Sequence, residues 1–214
     1  MIFSSEEWTR MLFKSGCRPA TATKWGPVYA DTVKETTFSA GISDLIDFQA
    51  TVLHESQMFE FMKENGNYSA DRIRELGIGS RPGSRWRSLV PIADRIAHNP
   101  PAFFEAVYGG RMGNDLPGDG AKYPGRGPLG ITGKDNYRWL GDRAGQDLLA
   151  NPTLLEQPHF ALELCIDWWE GKIPDSKLGD ERSIRKIVNG GDFGLDQIRE
   201  LVVKVREAIH AEIS

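Results

Sequence analysis

Apolar residues recur at helical spacing along most of the chain, and this pattern predicts a protein built from α-helices. A short amphipathic helix begins at Ser4 or Ser5, with Trp8, Met11 and Leu12 on its inner side. Further helices are predicted over about 44–62, 69–76, 89–97, 100–107, 132–144, 157–169, 181–188 and 195–213. Strand signals are nearly absent, so the predicted fold class is mainly α.

Two stretches lack this helical pattern. The residues from Arg18 to Ser39 are rich in Thr, Pro and Gly, and they are predicted to be mostly irregular. From Gly109 to Gly130 the apolar periodicity gives way to glycine, proline and charge, with room for one small hairpin. A loop of this length inside a compact domain more often carries function than not, although a flexible surface loop is the alternative.

Composition narrows the class of protein without naming a chemistry. The chain has 214 residues, of which 40% are hydrophobic and 26% charged, as in an ordinary soluble globular protein. Its net charge of −4 argues against a dedicated binder of nucleic acid or of anionic membranes. A small basic patch beside a substrate groove remains compatible with that charge.

Cysteine usage and hydropathy bear on the cellular compartment. Cys17 and Cys165 are the two cysteines, and free thiols in a reducing compartment are the simplest interpretation. The first residues lack the basic region and apolar run of a secretory signal, and no later stretch is apolar enough to span a bilayer. We therefore expect synthesis in the cytoplasm and no stable membrane insertion.

Two glutamates nine positions apart are the strongest candidates for chemistry. Glu55 ends an apolar run, and Glu64 stands just before Asn65-Gly66-Asn67, where the chain is predicted to break its helix and turn back. A carboxyl group on a half-buried helix facing a second one on a polar loop suits acid–base hydrolysis of a glycosidic bond. A solvated surface residue is the ordinary explanation for a single glutamate, and for Glu64 taken alone it is the better one.

Metal chemistry is not predicted. His54-Glu55 begins like a zinc-protease motif, which needs a second histidine four residues after the first. Met58 occupies that position, and the other histidines are scattered along the chain.

Polar residues near the glutamates are candidates for binding a sugar. Asn67 and Tyr68 supply donors and a flat ring directly after Glu64. Arg126, Thr132 and Asn136 follow in a glycine-rich stretch, which lacks the pattern of a phosphate loop. Glycines let the backbone approach a ligand closely, so these side chains could hydrogen-bond sugar hydroxyl or acetamido groups. Asn189, before Gly190-Gly191, could do the same with its amide.

The order of these motifs resembles the family 19 glycoside hydrolases, and most closely the bacteriophage endolysins of that chitinase-like family. The resemblance covers roughly residue 42 to the C-terminus. It rests on the motifs His54-Glu55-Ser56, Glu64-Asn65-Gly66-Asn67-Tyr68-Ser69-Ala70, Tyr108-Gly109-Gly110-Arg111-Met112-Gly113-Asn114, Gly125-Arg126-Gly127-Pro128-Leu129-Gly130-Ile131-Thr132-Gly133 and Asn189-Gly190-Gly191.

The resemblance implies a lysozyme-like α-helical fold with two lobes flanking a substrate groove, and inverting hydrolysis of a β-1,4 bond. Glu55 matches the general acid, Glu64 the general base, and Thr132 the hydroxyl residue that helps to hold the attacking water. Substrate-contacting positions are matched by Tyr68, Asn136 and Asn189. An arginine near the start of the last helix contacts the acid–base network in the family, and Arg199 is the candidate here.

One departure from the family bears on the substrate. Chitinases of the family usually carry Gln two residues before the Thr or Ser, where this chain has Gly130. We therefore expect an endolysin, a muramidase that cleaves peptidoglycan between N-acetylmuramic acid and N-acetylglucosamine. A chitinase and a non-catalytic glycan-binding phage module are the alternatives.

The remaining expectations follow from this reading. Residues 1–214 form a single catalytic domain, with a family-like core at about 42–214 and no separate wall-binding module. The enzyme works as a monomer without metal or cofactor, since two carboxyl groups and a water suffice. It waits in the host cytoplasm and reaches the periplasmic wall after a holin permeabilises the membrane. The segments 18–39 and 78–86 receive no predicted role.

Overall fold

The computed structural model describes residues 3–34 and 36–214, and in these ranges the chain forms helices and loops with no β-strand. The mainly α fold predicted from the sequence is confirmed. The α-helices are α1 Ser5–Lys14, α2 Pro19–Thr32, α3 Ile42–Glu55, α4 Ala70–Ile78, α5 Arg85–Leu89, α6 Ala93–Ile96, α7 Pro100–Tyr108, α8 Asp119–Lys122, α9 Lys134–Ala144, α10 Pro158–Lys172, α11 Glu181–Asn189 and α12 Leu195–Ile213. Short 3-10 turns cover Val90–Ile92, Pro152–Glu156 and Asp175–Lys177.

The contacts divide the chain into two compact units. Unit 1 comprises Met1–Met62, Gly127–Gly130 and Leu154–Ser214, and so contains α1 to α3 and α10 to α12. Unit 2 comprises Lys63–Arg126 and Ile131–Thr153, and contains α4 to α9. Glu55 lies in unit 1 and Glu64 in unit 2.

Helix α3 forms the centre of unit 1. Every residue from Asp44 to Leu53 is buried, as expected of a helix that is surrounded by other elements. Helix α12 packs against both α3 and α1, and the ring of Phe48 meets Trp169 of α10 edge-on at 5.6 Å between centroids. The apolar run before Glu55 is therefore a core helix rather than a surface one.

The prediction that Arg18–Ser39 is mostly irregular is wrong, because α2 occupies Pro19–Thr32. Pro19 lies in the first turn, where the missing N–H has no intrahelical partner to lose, whereas Pro27 lies inside the helix. Gly26 lets α2 approach α1 closely, since a Cβ there would lie 2.1 Å from Thr9 Oγ1. Trp25, Val28 and Tyr29 are buried, and this packing outweighs the weak helix propensity of the segment.

The long helix predicted over 44–62 ends earlier, at Glu55. Ser56 stops it, because its hydroxyl donates to Val52 O at 2.6 Å and accepts the Phe59 N–H at 2.8 Å. A serine that bonds nearby backbone groups offers the chain an alternative to the helix. The chain therefore turns before Asn65-Gly66-Asn67, the break that the sequence predicted.

Unit 2 is built around an aromatic and aliphatic cluster beneath the short helices α4 to α7. Its fully buried members include Ile73, Leu89, Ile96, Phe103 and Phe104. Ser69 caps α4 by accepting the Arg72 N–H, and Asn99 caps α7 by accepting the Ala102 N–H.

The glycine-rich segment 109–130 is largely irregular, as predicted, apart from the single turn of α8. Arg126 and Ile131 exchange two backbone hydrogen bonds, at 3.1 and 2.8 Å, across the turn 127–130, so the small hairpin that the sequence allowed is reduced to a single antiparallel bridge. A second antiparallel bridge joins Arg126 to Lys63, the residue before Glu64.

Both cysteines are free, as predicted, and both are buried. Burial raises the pKa of each thiol to about 12, so neither is a ready nucleophile or metal ligand at neutral pH. Within residues 3–34 and 36–214, no helix has the length and apolar character needed to cross a membrane.

A carboxyl cluster links α3 to α10 in unit 1. Asp44 is buried and accepts a hydrogen bond from the Trp169 indole at 2.5 Å. The neighbouring Glu170 accepts the Ser39 N–H at 3.3 Å. Burial, followed by the hydrogen bond and charge of Asp44, raises the pKa of Glu170 to about 7.

This cluster predicts a pH-dependent stability. Because the folded pKa of Glu170 exceeds its ordinary value of 4.5, its protonated form stabilises the fold at low pH. That contribution is lost as the pH rises through about 7, so the free energy of unfolding should fall relative to that of Glu170→Gln. Urea unfolding at several pH values measures the difference, with Glu163→Gln on the exposed face of α10 as control. The prediction is contradicted if the difference in the free energy of unfolding between wild type and Glu170→Gln stays constant as the pH rises from 4.5 through about 7.

Candidate active site

Glu55 is the last residue of α3, and the chain leaves it through a strained turn. Gln57, Met58 and Phe59 all have positive φ, at 47°, 61° and 63°. Side chains other than glycine pay roughly 1–2 kcal/mol per residue in this region, so the turn needs support from its surroundings.

Part of that support comes from α2. The ring of Phe59 stacks on Trp25 with centroids 4.1 Å apart and packs edge-on against Tyr29 at 6.2 Å. Together with the Ser56 hydroxyl, these rings hold the strained turn that follows Glu55. Segment 18–39, for which the sequence predicted no role, thus stabilises the backbone next to Glu55 through the rings of α2.

The carboxylate of Glu55 is paired with Arg185 of α11. The Arg185 side chain is only 1% exposed, and its Nη1 contacts Glu55 Oε1. Its Nε also donates to the carbonyl oxygen of Phe193 at 3.0 Å. A buried guanidinium needs such partners, because an unpaired buried charge is strongly destabilising. Arg185 therefore fixes the position of the Glu55 carboxylate.

Asn189 belongs to the same group of residues. Its amide nitrogen donates to Phe193 O at 3.3 Å, and its amide oxygen accepts the Gly191 N–H at 2.9 Å. Both contacts hold the loop between α11 and α12. The sequence predicted that this amide contacts the substrate.

His54 lies against the other end of this loop. A Cβ on Gly194 would lie 2.4 Å from His54 Nε2, and the φ of this glycine is +77°. Only glycine therefore fits at this point. Burial lowers the pKa of His54, opposed by the charge of Glu55 and assisted by that of Arg185, which favours a neutral ring.

An open cleft of about 710 Å³ in unit 1 exposes these groups. Its walls come from the end of α3, from the loop before α12 and from α12 itself. The polar lining side chains are His54, Glu55, Gln57, Arg185, Asn189, Gln197, Glu200 and Lys204. The cleft is large enough to receive a sugar ring beside Glu55.

Glu64 is held in unit 2 by a different donor. The Tyr108 hydroxyl lies 2.8 Å from Glu64 Oε1 and 2.7 Å from Oε2, and the Gly125 N–H donates to Oε2 at 3.3 Å. Burial, then the charge of Glu64 and the hydrogen bond to it, raises the pKa of Tyr108 well above its ordinary value. The phenol therefore stays protonated and remains a donor to the carboxylate.

Thr132 lies beside Glu64. A Cβ on Gly125 would lie 3.2 Å from Thr132 Oγ1 and 3.3 Å from Glu64 Oε2, so both side chains face the same α-carbon. Asn136 Nδ2 donates to the Thr132 carbonyl oxygen at 2.7 Å. The structure thus brings three predicted site residues, Glu64, Thr132 and Asn136, into one group.

Tyr68 and Asn67 follow Glu64 in the chain but have structural contacts of their own. The Tyr68 ring packs on Phe103 at 4.9 Å and on Trp86 at 5.5 Å, at the border of the unit 2 core. Burial raises the pKa of Tyr68, and so does the charge of Glu64, which is close enough to act on it. Asn67 Oδ1 lies 3.1 Å from His98 Nδ1.

The structure does not support Arg126 as a sugar contact. Arg126 is only 5% exposed, and its Nη1 donates to Lys122 O at 2.8 Å and to the Tyr137 hydroxyl at 3.0 Å. These bonds hold its guanidinium inside unit 2. The flanking glycines suggest an exposed loop. The backbone bridges of Arg126 with Lys63 and Ile131 instead place its side chain inside unit 2.

The structure corrects the prediction for Arg199 as well. Its side chain is half-exposed and pairs with Asp196 at 3.6 Å on the outer face of α12. The arginine that contacts Glu55 is Arg185, on α11 rather than on the last helix. A signal for it existed in the sequence, because Arg185 directly follows Ile184 on the apolar face of α11.

Tyr108 is the second residue that the sequence reasoning did not single out. It begins the Tyr108-Gly109-Gly110 motif, but no pattern in the sequence places its hydroxyl on Glu64, which lies 44 positions earlier. The residues described here also contain no group of three or more His, Cys, Asp or Glu side chains placed to hold a metal ion.

Comparison with known proteins assigns the chain to a family. A glycosyl hydrolase family 19 domain-containing protein of Haemophilus influenzae is 32% identical over 163 residues, which cover 70% of this chain and 72% of that protein. The chain belongs to glycosyl hydrolase family 19. No family model matches the chain.

Two solved structures share the fold of this family 19 chain. Chitinase C from Streptomyces griseus HUT6037 matches with a TM-score of 0.52, and a mutant of chitinase C with 0.51. Each is 16% identical, and each comparison covers 97% of this chain and 92% of that structure. A likeness at this identity shows the fold, and it confirms the chitinase-like, lysozyme-like helical architecture that the sequence resemblance implied.

The role of Arg185 yields a prediction about stability. Arg185→Gln removes the charge that Glu55 and the Phe193 carbonyl share, which should lower the free energy of unfolding by about 3–5 kcal/mol. Arg199→Gln removes an exposed guanidinium and should cost less than about 1 kcal/mol. Urea denaturation of both variants measures the contrast. Equal costs for the two variants would contradict the assigned role of Arg185.

Proposed function

We propose that this family 19 glycosidase is an endolysin, a muramidase that hydrolyses the β-1,4 bond between N-acetylmuramic acid and N-acetylglucosamine in peptidoglycan. The main support is that each of the two predicted catalytic carboxyl groups has its own side-chain hydrogen-bond donor, Arg185 for Glu55 and Tyr108 for Glu64.

The proposed reaction follows from the chemistry of these groups. Glu55 protonates the glycosidic oxygen as the bond to C1 breaks, and Glu64 removes a proton from the water that attacks C1 from the opposite face. Thr132, which lies beside Glu64, helps to orient that water. After one turnover Glu55 is deprotonated and Glu64 is protonated, and proton exchange with the solvent restores the starting state.

Arg185 and Tyr108 act as positioning residues in this scheme. Arg185 holds one oxygen of Glu55 and leaves the other for the leaving group. Tyr108 keeps the Glu64 carboxylate oriented toward the side occupied by Thr132. Fixed orientation of an acid or base is a large part of its catalytic effect.

The choice of peptidoglycan rests on Gly130, which has no side chain where chitinases of the family usually carry Gln. Hydrolysis of chitin is the second candidate, and the fold shared with chitinase C favours it. A non-catalytic glycan-binding module is the third, and the supported pair of carboxyl groups speaks against it.

The cellular setting belongs to the proposal too. We infer a bacteriophage protein that acts as a monomer on peptidoglycan, without metal or cofactor, and binds neither nucleic acid nor membrane. It would accumulate in the host cytoplasm and meet the periplasmic wall after holin-type permeabilisation of the membrane. The sequence resemblance to endolysins is the support for this setting.

The test compares wild type with Glu55→Gln and Glu64→Gln on purified Gram-negative sacculi. Loss of an acid or base commonly lowers the rate ~10²–10⁴-fold, so both variants should release reducing ends that much more slowly. Circular dichroism checks that they fold. Glu163→Gln on the exposed face of α10 and Glu75→Gln on α4 lie outside the cleft and the Glu64 group, and as matched controls they should retain most activity. Near wild-type activity in Glu55→Gln would remove the proposed acid.

A further inference from the structure

A second cleft in unit 2 is lined by basic and small polar residues. It measures about 530 Å³, and its walls are Gly83, Ser84, Arg85, Arg87, Ser88 and Arg111. We call it the arginine cleft. It includes the end of segment 78–86, which received no role from the sequence.

The three guanidinium groups of the arginine cleft are tethered to main-chain carbonyls. Arg85 Nε donates to Ala106 O at 2.8 Å, Arg87 Nη2 to Ile78 O at 3.2 Å, and Arg111 Nη1 to Val107 O at 3.5 Å. Each of these contacts uses one of five N–H donors and anchors the group at the C-terminal end of α4 or α7. The other donors remain for a ligand, because all three side chains are exposed.

The hydrogen bonds to these carbonyls do not by themselves explain why three arginines gather at one cleft. A positive charge at a helix C-terminus is favourable, but the end of α7 has two such charges, from Arg85 and Arg111. Like charges that converge on one cleft repel each other, and the repulsion is relieved when an anion binds between them.

No counter-charge within the protein relieves this repulsion. Residues 78–88 contain no Asp or Glu. In the part of the chain that the structure describes, no carboxylate lies within salt-bridge distance of Arg85, Arg87 or Arg111. By contrast, Arg72 and Arg138 of the same unit are each paired with an acidic neighbour. The unpaired charges stand out in a chain whose net charge is −4.

The arginine cleft lies next to the residues that hold Glu64. Trp86, between two of the arginines, packs on Tyr68 at 5.5 Å and anchors α5 to the unit 2 core. Arg111 is close enough to Tyr108 for its charge to oppose burial and Glu64 in setting the pKa of that phenol. An anionic group on a glycan bound at Glu64 would therefore be within reach of the cleft.

The chemistry of the guanidinium group selects the ligand. Its planar fork binds carboxylates through paired hydrogen bonds, and neutral sugars offer no such partner. Peptidoglycan carries peptide stems with free carboxylates on its N-acetylmuramic acid residues, whereas chitin is uncharged. We propose that the arginine cleft binds peptide-stem carboxylates of the strand that Glu64 attacks, and so selects peptidoglycan over neutral glycans. This inference rests on the proposed function.

The test variant is Arg85→Gln/Arg87→Gln/Arg111→Gln. Its substrates are soluble peptidoglycan strands with intact stems, and the same strands after an amidase has removed the stems. We expect kcat/KM on stem-bearing strands to fall about 10-fold or more, mainly through KM, from three exposed charge contacts. On stem-free strands, the variant should remain within about 2-fold of wild type. Added salt should weaken the wild-type preference for stems, because it screens exposed charges.

A matched control removes the same charge elsewhere on unit 2. Arg72→Gln/Arg95→Gln/Arg138→Gln lies outside the cleft and should leave the preference for stem-bearing strands intact. If the cleft variant cleaves stem-bearing strands as well as wild type does, the inference is overturned. It is equally overturned if activity falls as much on stem-free strands, or if the control variant shows the same loss.

A binding measurement separates this inference from the proposed function. NMR titration of the protein with the free stem tetrapeptide should shift the arginine side-chain and α5 backbone signals in wild type, and not in the cleft variant. If wild type fails to cleave sacculi but shows these shifts, the muramidase proposal falls and the carboxylate site stands. If wild type cleaves sacculi but shows no such shifts, the carboxylate site in the arginine cleft is overturned and the muramidase proposal stands.

Discussion

One buried guanidinium determines the arrangement of the candidate acid in unit 1. Arg185 is almost fully buried, and a charge in that setting is tolerated only when acceptors surround it. Glu55 supplies one acceptor and the carbonyl of Phe193 supplies another. The end of α3, the side of α11 and the loop before α12 must therefore keep their places together. The close approach of His54 to Gly194 lies in the same place, where the end of α3 meets the loop before α12.

The candidate base has a separate and simpler support. Glu64 is held by a phenol that remains protonated and by a backbone N–H of the glycine-rich segment. Gly125 lets Thr132 and Glu64 face the same α-carbon without obstruction. The two carboxyl groups thus have different environments, a guanidinium for one and a neutral donor for the other.

How much of this could be predicted from the sequence depends on the range of the interactions. Helices such as α1 and α7 were predicted because caps and apolar spacing are local features. Segment α2 was missed because it is held by distant partners, including Thr9 and Phe59, that outweigh its composition. The ordered motifs singled out the glutamates and Thr132 as candidates. Arg185 was missed, and Arg126 was assigned to sugar binding, because burial of an arginine depends on partners that its neighbours in sequence do not reveal.

The roles proposed for Glu55 and Glu64 imply hydrolysis of a muramic acid linkage with inversion. Proton NMR of soluble peptidoglycan strands during the first minutes of digestion, before mutarotation, tests this most directly. New reducing ends should belong to N-acetylmuramic acid and first appear as the α-anomer. Reducing ends on N-acetylglucosamine, or a β-anomer as the first product, would contradict it.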